Sequence, residues 1–241
     1  MNQNTLQGIV CLILAQTMVA TNIVVSKFLV AAIPVLPLLA IRFTLASLVL
    51  LPLHWCTPDR KQSLKMHFLK LERRDWFFLL SQALTAGFLF NSLMLVGLHY
   101  TDANIAGIIT SALPAFIAIL SWIVLGEKIS AQKILCIFFA TLGLIIIASD
   151  KLTGVSEAHS FFGDAIVLLS LLPEATYYVL CKLHNNRLPL FLISALMNGI
   201  NAVLLIPAMI WMHWTPAHLS LLNLFILVIT GLSSGLFYVF W

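Results

Sequence analysis

Residues 188–241 read LPLFLISALMNGINAVLLIPAMIWMHWTPAHLSLLNLFILVITGLSSGLFYVFW and contain no Asp, Glu, Lys or Arg. This stretch is long enough for two membrane-spanning helices, since each needs about 20 apolar residues to cross the hydrocarbon core of a bilayer. The same bias extends over all 241 residues, of which 61% are hydrophobic and 9% charged. A soluble domain carries roughly 25% charged residues. The composition therefore excludes a soluble globular enzyme and indicates a polytopic membrane protein.

Apolar runs bounded by charges, Pro or Gly predict eight membrane spans along the chain. They lie approximately at residues 7–27, 34–54, 76–98, 103–125, 132–149, 163–182, 189–211 and 220–241. Continuous runs of this length predict helices, because the strands of a membrane barrel are short and alternate apolar with polar residues. The predicted fold class is an all-α polytopic membrane protein.

Basic residues are concentrated in three of the connecting loops, which hold ten of the 13 lysines and arginines. These ten are Arg60, Lys61, Lys65, Lys70, Arg73, Arg74, Lys128, Lys133, Lys182 and Arg187. Because Lys and Arg accumulate in cytoplasmic loops, we predict that these loops and the N-terminus are cytoplasmic. A basic loop can also bind anionic lipid or nucleic acid. Topology explains all three loops by one cause, so we predict no nucleic-acid partner.

An internal repeat emerges when the sequence is aligned with itself at an offset of 155 residues, where ten of the 47 positions from Gly8 to His54 are identical. The identities include Lys27 with Lys182, Pro34 with Pro189, and Pro52 with Pro207. We predict a first repeat of five helices over residues 7–149 and a second, incomplete repeat of three helices over residues 163–241.

The two repeats are predicted to be inverted, because five spans separate their starts and the second copy enters the membrane from the opposite side. Inverted repeats related by an axis in the membrane plane are the physical basis of alternating access. The pattern therefore predicts a secondary transporter. We expect a complete carrier to have about 305 residues and ten spans, so that two helices are missing from this chain.

Residues 101–148, TDANIAGIITSALPAFIAILSWIVLGEKISAQKILCIFFATLGLIIIA, combine a Pro in span four, an LGE turn and a Gly in span five. With AIRF at 40–43 and SK at 26–27, this stretch resembles the EamA-type permeases of the drug/metabolite transporter superfamily. Val19 and Cys136 depart from the Trp and Gly usual in that family. The resemblance covers essentially the whole chain. It implies a ten-helix carrier of small solutes in the inner (cytoplasmic) membrane, often an exporter of amino acids or other metabolites.

Charged residues within the spans are candidates for the functional site, because a charge at the bilayer centre costs at least about 2.5 to 3.5 kcal/mol and normally faces a cavity or a partner. Glu174 follows Pro173 halfway along span six, where its carboxylate can bind a cation or a proton. Arg42 lies at a similar depth and can pair with Glu174 or with an anionic substrate group. A purely structural role is the alternative for both, and Lys27 is expected to snorkel to the interface.

Other polar and aromatic side chains within the spans can line a pocket for a small solute, since such a pocket needs a few hydrogen-bonding groups among apolar walls. They are Gln16, Asn22, Asn91, Thr110, Ser111, Trp122, Tyr177 and Tyr178. Interhelical hydrogen bonding or packing is the alternative for each. On span four, a ridge of small residues permits close helix packing or homodimerisation, with a bend at Pro114. The ridge consists of Ala103, Gly107, Ser111 and Ala115.

The leading hypothesis is a secondary transporter of a small solute that uses no cofactor or metal. His213 and His218 have no carboxylate or Cys beside them, as a metal site would require. A membrane-embedded enzyme would need converging catalytic side chains near one interface; the sequence shows none, and we predict no catalytic residue. No GxxxxGK[ST] loop supports direct ATP drive. A truncated, non-transporting remnant or assembly partner is the remaining alternative.

Overall fold

The computed structural model describes residues 3–56, 64–69, 71–152, 160–184, 188–212 and 220–240, without some side chains inside α1, α3, α8 and α11. Regular structure within these ranges is helical. The α-helices are α1 (Gln3–Ala32), α2 (Val35–His54), α3 (Leu64–Leu69), α4 (Arg73–Gln82), α5 (Phe90–Tyr100), α6 (Ala103–Thr110), α7 (Leu113–Leu125), α8 (Ala131–Leu152), α9 (Phe161–Leu183), α10 (Leu190–Trp211) and α11 (Leu221–Phe240). A π-helix, Ala83–Leu89, joins α4 to α5.

All eight predicted spans coincide, within a few residues, with one helix or with consecutive helices. Within the described residues, five segments are long and apolar enough to cross a membrane: Val35–His54, Arg73–Tyr100, Ala103–Leu125, Phe161–Leu183 and Leu190–Trp211. Thr17–Ala32, within α1, and Leu221–Ser233, within α11, are shorter apolar helical segments.

The long helices expose large apolar side chains, among them Ile123, Phe138, Val203 and Phe225, each more than half exposed. Monomeric soluble proteins rarely expose contiguous apolar surface on this scale, whereas a bilayer covers such a surface with lipid. Together with the five spanning segments, these side chains confirm that the chain is an all-α polytopic membrane protein.

The first of two compact units comprises residues 1–83 and 186–241. In it, α2 packs against α10 and α11, and α1 packs against α11. The Ser47 hydroxyl donates to the carbonyl of Ala195 at 3.1 Å, and Ala46 and Leu50 share a buried cluster with Ala195 that Phe191 extends. The C-terminal half of α2 therefore lies against the N-terminal half of α10, so that the two helices run antiparallel.

Prolines that are aligned by the 155-residue offset occupy corresponding positions in this unit. Pro34 caps α2 with φ −59° and ψ 148°, and Pro189 caps α10 with φ −59° and ψ 144°. Pro52 lies inside α2 and Pro207 inside α10, each near the C-terminal end of its helix. Proline fixes φ near −65° and disfavours a helical conformation in the residue before it, which explains why both helices begin after the first proline of each pair.

The second unit comprises residues 84–185 and is built around α9, which packs against α5, α6 and α7. Glycines bring α5 and α9 together at one end. A Cβ atom on Gly163 would lie 2.8 Å from the Cβ of Tyr100 and 3.0 Å from the backbone nitrogen of Thr101. A Cβ atom on Gly97 would lie 2.5 Å from the Val167 side chain. Neither position has room for a larger residue without a shift of its neighbour.

Hydrogen bonds reinforce the contact between the C-terminal end of α5 and the N-terminal end of α9. The backbone N–H of Ser160 donates to the carbonyl of Tyr100 at 3.0 Å. The buried hydroxyl of Thr101 donates to the carboxylate of Asp164. The pairing gives two buried polar groups a hydrogen-bond partner.

An exposed ion pair joins the other end of α9 to the LGE turn. Gly126 ends α7 with φ +65°, a left-handed conformation that glycine adopts without strain. Lys182 then donates to both carboxylate oxygens of Glu127, at 3.1 and 3.3 Å. Span four itself is divided into α6 and α7 by a turn at residues 111–112, directly before Pro114.

We expect Gly163→Ala to lower the melting temperature of the protein in detergent, because backbone atoms of Tyr100 and Thr101 occupy the space that a Cβ would need. Overpacking of this kind costs about 1 to 3 kcal/mol. Gly107→Ala is the matched control, since a Cβ there meets no described atom within 4 Å and Ala favours helix over Gly by roughly 0.5 to 1 kcal/mol. Equal melting temperatures for the two variants would contradict the close approach of α5 and α9.

Candidate functional site

Glu174 lies inside α9 of the second unit, directly after Pro173, and α9 continues through the proline. The residue is 3% exposed, and its Oε2 atom has no hydrogen-bond partner among the described residues. Nearly all buried polar atoms in native proteins have a partner, so each exception needs a physical explanation. A carboxyl oxygen left open inside a spanning helix is a place for a proton or for a donor group of a solute.

Aromatic side chains accompany Glu174 on the next turn of α9. Tyr177 and Tyr178 are both buried, and their ring centroids are 5.3 Å apart in an edge-to-face arrangement. Residues three and four positions apart are neighbours on a helix surface, so both tyrosines adjoin Glu174. Glu174, Tyr177 and Tyr178 therefore lie together on α9, within one unit.

Two serines on neighbouring helices of the same unit were not singled out from the sequence. Ser92 on α5 and Ser121 on α7 each have a buried Oγ atom without a hydrogen-bond partner among the described residues. Serine is common in apolar helices, where its hydroxyl usually bonds to its own backbone, as Ser170 does with the carbonyl of Val167. No signal in the sequence distinguishes the two open serines from the closed one.

Arg42 lies in the first unit, where it is 1% exposed. Its Nη2 atom donates to Oδ1 of Asn22 at 2.8 Å, and its Nη1 atom donates to Oγ of Ser26 at 3.3 Å. Ser26 in turn donates to Oδ1 of Asn22 at 3.1 Å. The guanidinium is thus held by two polar side chains that lie one turn apart on α1.

Asn22 extends this network to α11. Its Nδ2 atom donates to the carbonyl of Thr230 and to Oγ of Ser233, both at 3.2 Å. Gly231 lets α11 approach α2, since a Cβ there would lie 3.3 Å from the carbonyl oxygen of Arg42. Both functional atoms of the Asn22 amide are therefore engaged, and three helices meet at this one side chain.

The predicted ion pair between Arg42 and Glu174 stays a prediction, because the two residues belong to different units. Several other candidates make bonds within their own segment. Asn91 donates to the carbonyls of Ala86 and Gly87 in the π-helix at 2.9 and 2.8 Å. The Trp122 side chain is 53% exposed. The side chain of Gln16 lies outside the described residues.

Thr110 and Ser111 likewise bond to carbonyls of their own helix, those of Gly107 and Ile108. Along the small-residue ridge, Gly107 and Ser111 are exposed, Ala103 is half-buried and Ala115 is buried. Lys27 is half-buried near the end of α1. His213 and His218 lie outside the described residues.

Asparagines on α10 are a further polar feature that the sequence interpretation missed. Asn198 and Asn201 are each 1% exposed. Asn201 donates to the carbonyl of Ala83, the first residue of the π-helix, and to that of Met197, both at 3.0 Å. Asn201 therefore joins α10 to the point where the backbone changes from α-helix to π-helix. Within the described part of the chain, no three His, Cys, Asp or Glu residues are grouped to hold a metal.

Comparisons with known proteins agree with the membrane fold and the resemblance. The model of the EamA-like transporter family matches residues 6–149. The uncharacterized transporter YetK of Bacillus subtilis is 32% identical over 202 residues, which are 82% of this chain and 58% of that protein. The uncharacterized transporter YvbV of the same organism is 27% identical over 172 residues, 68% of this chain and 55% of that protein. The chain thus matches a little over half the length of these relatives.

We expect Asn22→Ala to lower the melting temperature more than Ser233→Ala does. The first change leaves the buried guanidinium of Arg42 without its 2.8 Å acceptor and cuts the link to α11, whereas the second removes one outer contact of the network. A hydrogen bond to a charged group contributes about 1.5 to 3 kcal/mol, against about 1 kcal/mol for an ordinary hydrogen bond. Thermal unfolding in detergent measures both, and equal shifts would contradict the central position of Asn22.

Proposed function

The chain belongs to the EamA-like transporter family, and from this premise we propose that it is a secondary transporter that moves a small metabolite across the cytoplasmic membrane by alternating access. Amino acids and other small, drug-like solutes are the substrates that we consider. The relatives are named transporters, so we assign the chain no enzymatic reaction. Because it spans just over half the length of these relatives, the activity of the whole protein is part of the proposal.

The observation that carries this proposal is the buried carboxyl group of Glu174. It is 3% exposed in a helix long and apolar enough to cross the membrane, and its Oε2 atom has no described partner. A charge at this depth costs at least about 2.5 to 3.5 kcal/mol. If this position had only a packing role, an apolar side chain would fill it without that cost. Binding and release of a proton or a solute, in contrast, require a polar group.

Glu174 would couple transport to protons by holding a proton in one stage of the cycle and the solute in another. Binding of either at one carboxyl group excludes the other, so the two are exchanged when the site faces opposite sides of the membrane in turn. Pro173 removes one backbone hydrogen bond beside the carboxyl group, which leaves a carbonyl oxygen free to orient the same ligand.

Alternating access is supported by features that recur at the 155-residue offset. The antiparallel helices α2 and α10 have capping prolines of the same conformation. A side-chain hydrogen bond joins Asn22 to Ser26, and another joins Tyr177 to Cys181 at the matching positions of the second copy. Two halves with corresponding contacts but opposite direction can exchange roles between two conformations of similar free energy. The orientation with a cytoplasmic N-terminus remains part of this proposal.

The test is solute flux into proteoliposomes that contain the full chain, with a panel of amino acids and small metabolites and an imposed pH gradient. We expect solute-dependent flux in the parent protein that varies with pH. Glu174→Gln keeps the shape of the side chain but cannot be deprotonated, so its flux should no longer depend on pH. Asp102→Asn is the matched control and should keep the pH dependence, because Asp102 caps α6 outside the apolar span.

Two outcomes would count against the proposal. Flux with unchanged pH dependence in Glu174→Gln would remove Glu174 from proton coupling. Absence of flux for every solute in the parent protein would favour the alternative, in which the chain is an assembly partner and does not itself transport.

A further inference from the structure

Helix α3 lies in the loop that connects two segments long and apolar enough to cross a membrane, Val35–His54 and Arg73–Tyr100. A loop between two successive spans joins their ends on one side of the membrane, so α3 lies on the side where the first segment ends. A ring contact holds it close to that end. His67 of α3 and His54, the last residue of α2, are both buried, and their ring centroids are 5.8 Å apart.

Tryptophans mark the level at which the two segments leave the membrane. Trp55 directly follows α2, Trp76 lies in the first turn of α4, and both are exposed. Tryptophan is enriched at the membrane–water interface, where its amphipathic ring lies at the level of the lipid headgroups. Phe68 of α3 stacks on Trp76, with ring centroids 6.1 Å apart. Helix α3 is therefore held at the headgroup level, between the ends of two spans.

The exposed face of α3 is largely apolar. Met66 and Leu69 are each at least half exposed, and Lys65 is exposed beside them. Residues three and four positions apart are neighbours on a helix surface, so these three side chains form one face, on the side of the helix away from His67. A helix at the interface buries such a face in the boundary between headgroups and acyl chains. Lipid is therefore the neighbour that suits this face.

Basic side chains accompany the apolar face. Arg73 and Arg74 are the first two residues of α4, and both are exposed, as is Lys65. Glu72 is an exposed acidic residue in the same region, but residues 59–75 carry six Lys or Arg against three Asp or Glu. The loop therefore presents a net positive charge at the level of the headgroups.

The positions of Arg73 and Arg74 do not serve the stability of α4 itself. The N-terminus of a helix carries a partial positive charge, so that basic residues in the first turn are unfavourable and acidic residues are favourable. An anionic partner outside the helix would offset this repulsion. The guanidinium of Arg74 also lies 5.8 Å from the centroid of the Phe78 ring, which keeps its charge beside the apolar part of the span.

We propose that α3 and the start of α4 form a binding surface for anionic phospholipids of the surrounding membrane, an inference that does not depend on the transporter function proposed above. Met66 and Leu69 enter the boundary with the acyl chains, while Lys65, Arg73 and Arg74 contact headgroup phosphates. Each Lys or Arg close to an anionic membrane surface adds to the attraction. The three charges need not converge on one atom, because the partner is itself an extended surface.

The experiment measures the melting temperature of the purified full chain in detergent as lipid is added, because a ligand that binds only the folded state raises that temperature with concentration. The probes are phosphatidylglycerol, phosphatidylcholine with the same acyl chains, and inorganic phosphate. We expect phosphatidylglycerol to give the largest rise. High salt should reduce this rise, since salt screens exposed charges. The triple variant Lys65→Gln/Arg73→Gln/Arg74→Gln should lower the apparent affinity for phosphatidylglycerol roughly fivefold for each basic residue removed.

The triple variant Lys128→Gln/Lys133→Gln/Arg187→Gln is the matched control, because it removes the same charge from the other two basic loops. It should keep the affinity of the parent protein for phosphatidylglycerol. The lipid-free melting temperature of the first variant should change little, because its three side chains are exposed and Arg73 and Arg74 oppose the helix dipole. A fall in affinity therefore cannot be ascribed to misfolding.

A second variant, Leu69→Trp, tests whether the apolar face meets lipid. In phosphatidylglycerol vesicles, the fluorescence that the added Trp contributes should be quenched by phospholipids brominated on their acyl chains and protected from acrylamide in the water. The opposite pattern would place this face in water and overturn the inference.

Equal loss of affinity in the two triple variants would overturn the assignment of the lipid surface to α3 and α4. Equal stabilisation by phosphatidylcholine, or by inorganic phosphate, would overturn recognition of anionic lipid. The proposed function stands or falls separately: absence of flux in the parent protein would count against transport and leave the lipid surface in place, whereas loss of phosphatidylglycerol binding says nothing against transport.

Discussion

The rest of this structure depends on the lack of water in the hydrocarbon core, which obliges every polar group there to find a partner within the protein. Helices meet this requirement for the backbone, and the described residues of the chain are built from them. Where a helix changes form, a side chain adds a hydrogen bond, as Asn201 does at the first carbonyl of the π-helix. Side-chain polar groups face the same requirement. Whether such a group has a partner therefore bears on whether its role is structural or ligand binding.

The two units satisfy this requirement for hydrogen-bond partners in different ways. In the first unit, the charge of Arg42 is buried against a serine and an asparagine of α1, and the same asparagine continues the hydrogen bonds to α11. This network binds helices together and places a positive charge within it. In the second unit, the buried Glu174 keeps an oxygen atom open. An amide bonded to two other helices is suited to holding them in place, whereas an open acceptor is suited to a ligand that arrives and leaves.

The sequence predicts the spans because their length and lack of charge are set by the bilayer itself, independently of how the helices pack. It identifies Glu174 and Arg42 for the same reason, since a charge within an apolar run is conspicuous. It does not identify Ser92 and Ser121, because only the packing of α5 and α7 on α9 decides whether a serine hydroxyl has a partner. The hydrogen bond between Thr101 and Asp164 is missed as well. The two residues are 63 positions apart, and the sequence alone indicates only that each lies near the end of a helix.

Contacts of different strength hold the two ends of helix α9. At its start, glycine contacts, a backbone hydrogen bond and the buried bond of Thr101 to Asp164 hold it to α5. At its end, the contact with the turn after α7 is the ion pair of Lys182 with Glu127, whose side chains are 47% and 37% exposed. Exposed ion pairs contribute about 0 to 1 kcal/mol, whereas close-packed glycine contacts and buried hydrogen bonds each contribute about 1 kcal/mol or more. The contacts that hold α9 at its Lys182 end are therefore weaker than those that hold it to α5 at its Gly163 end.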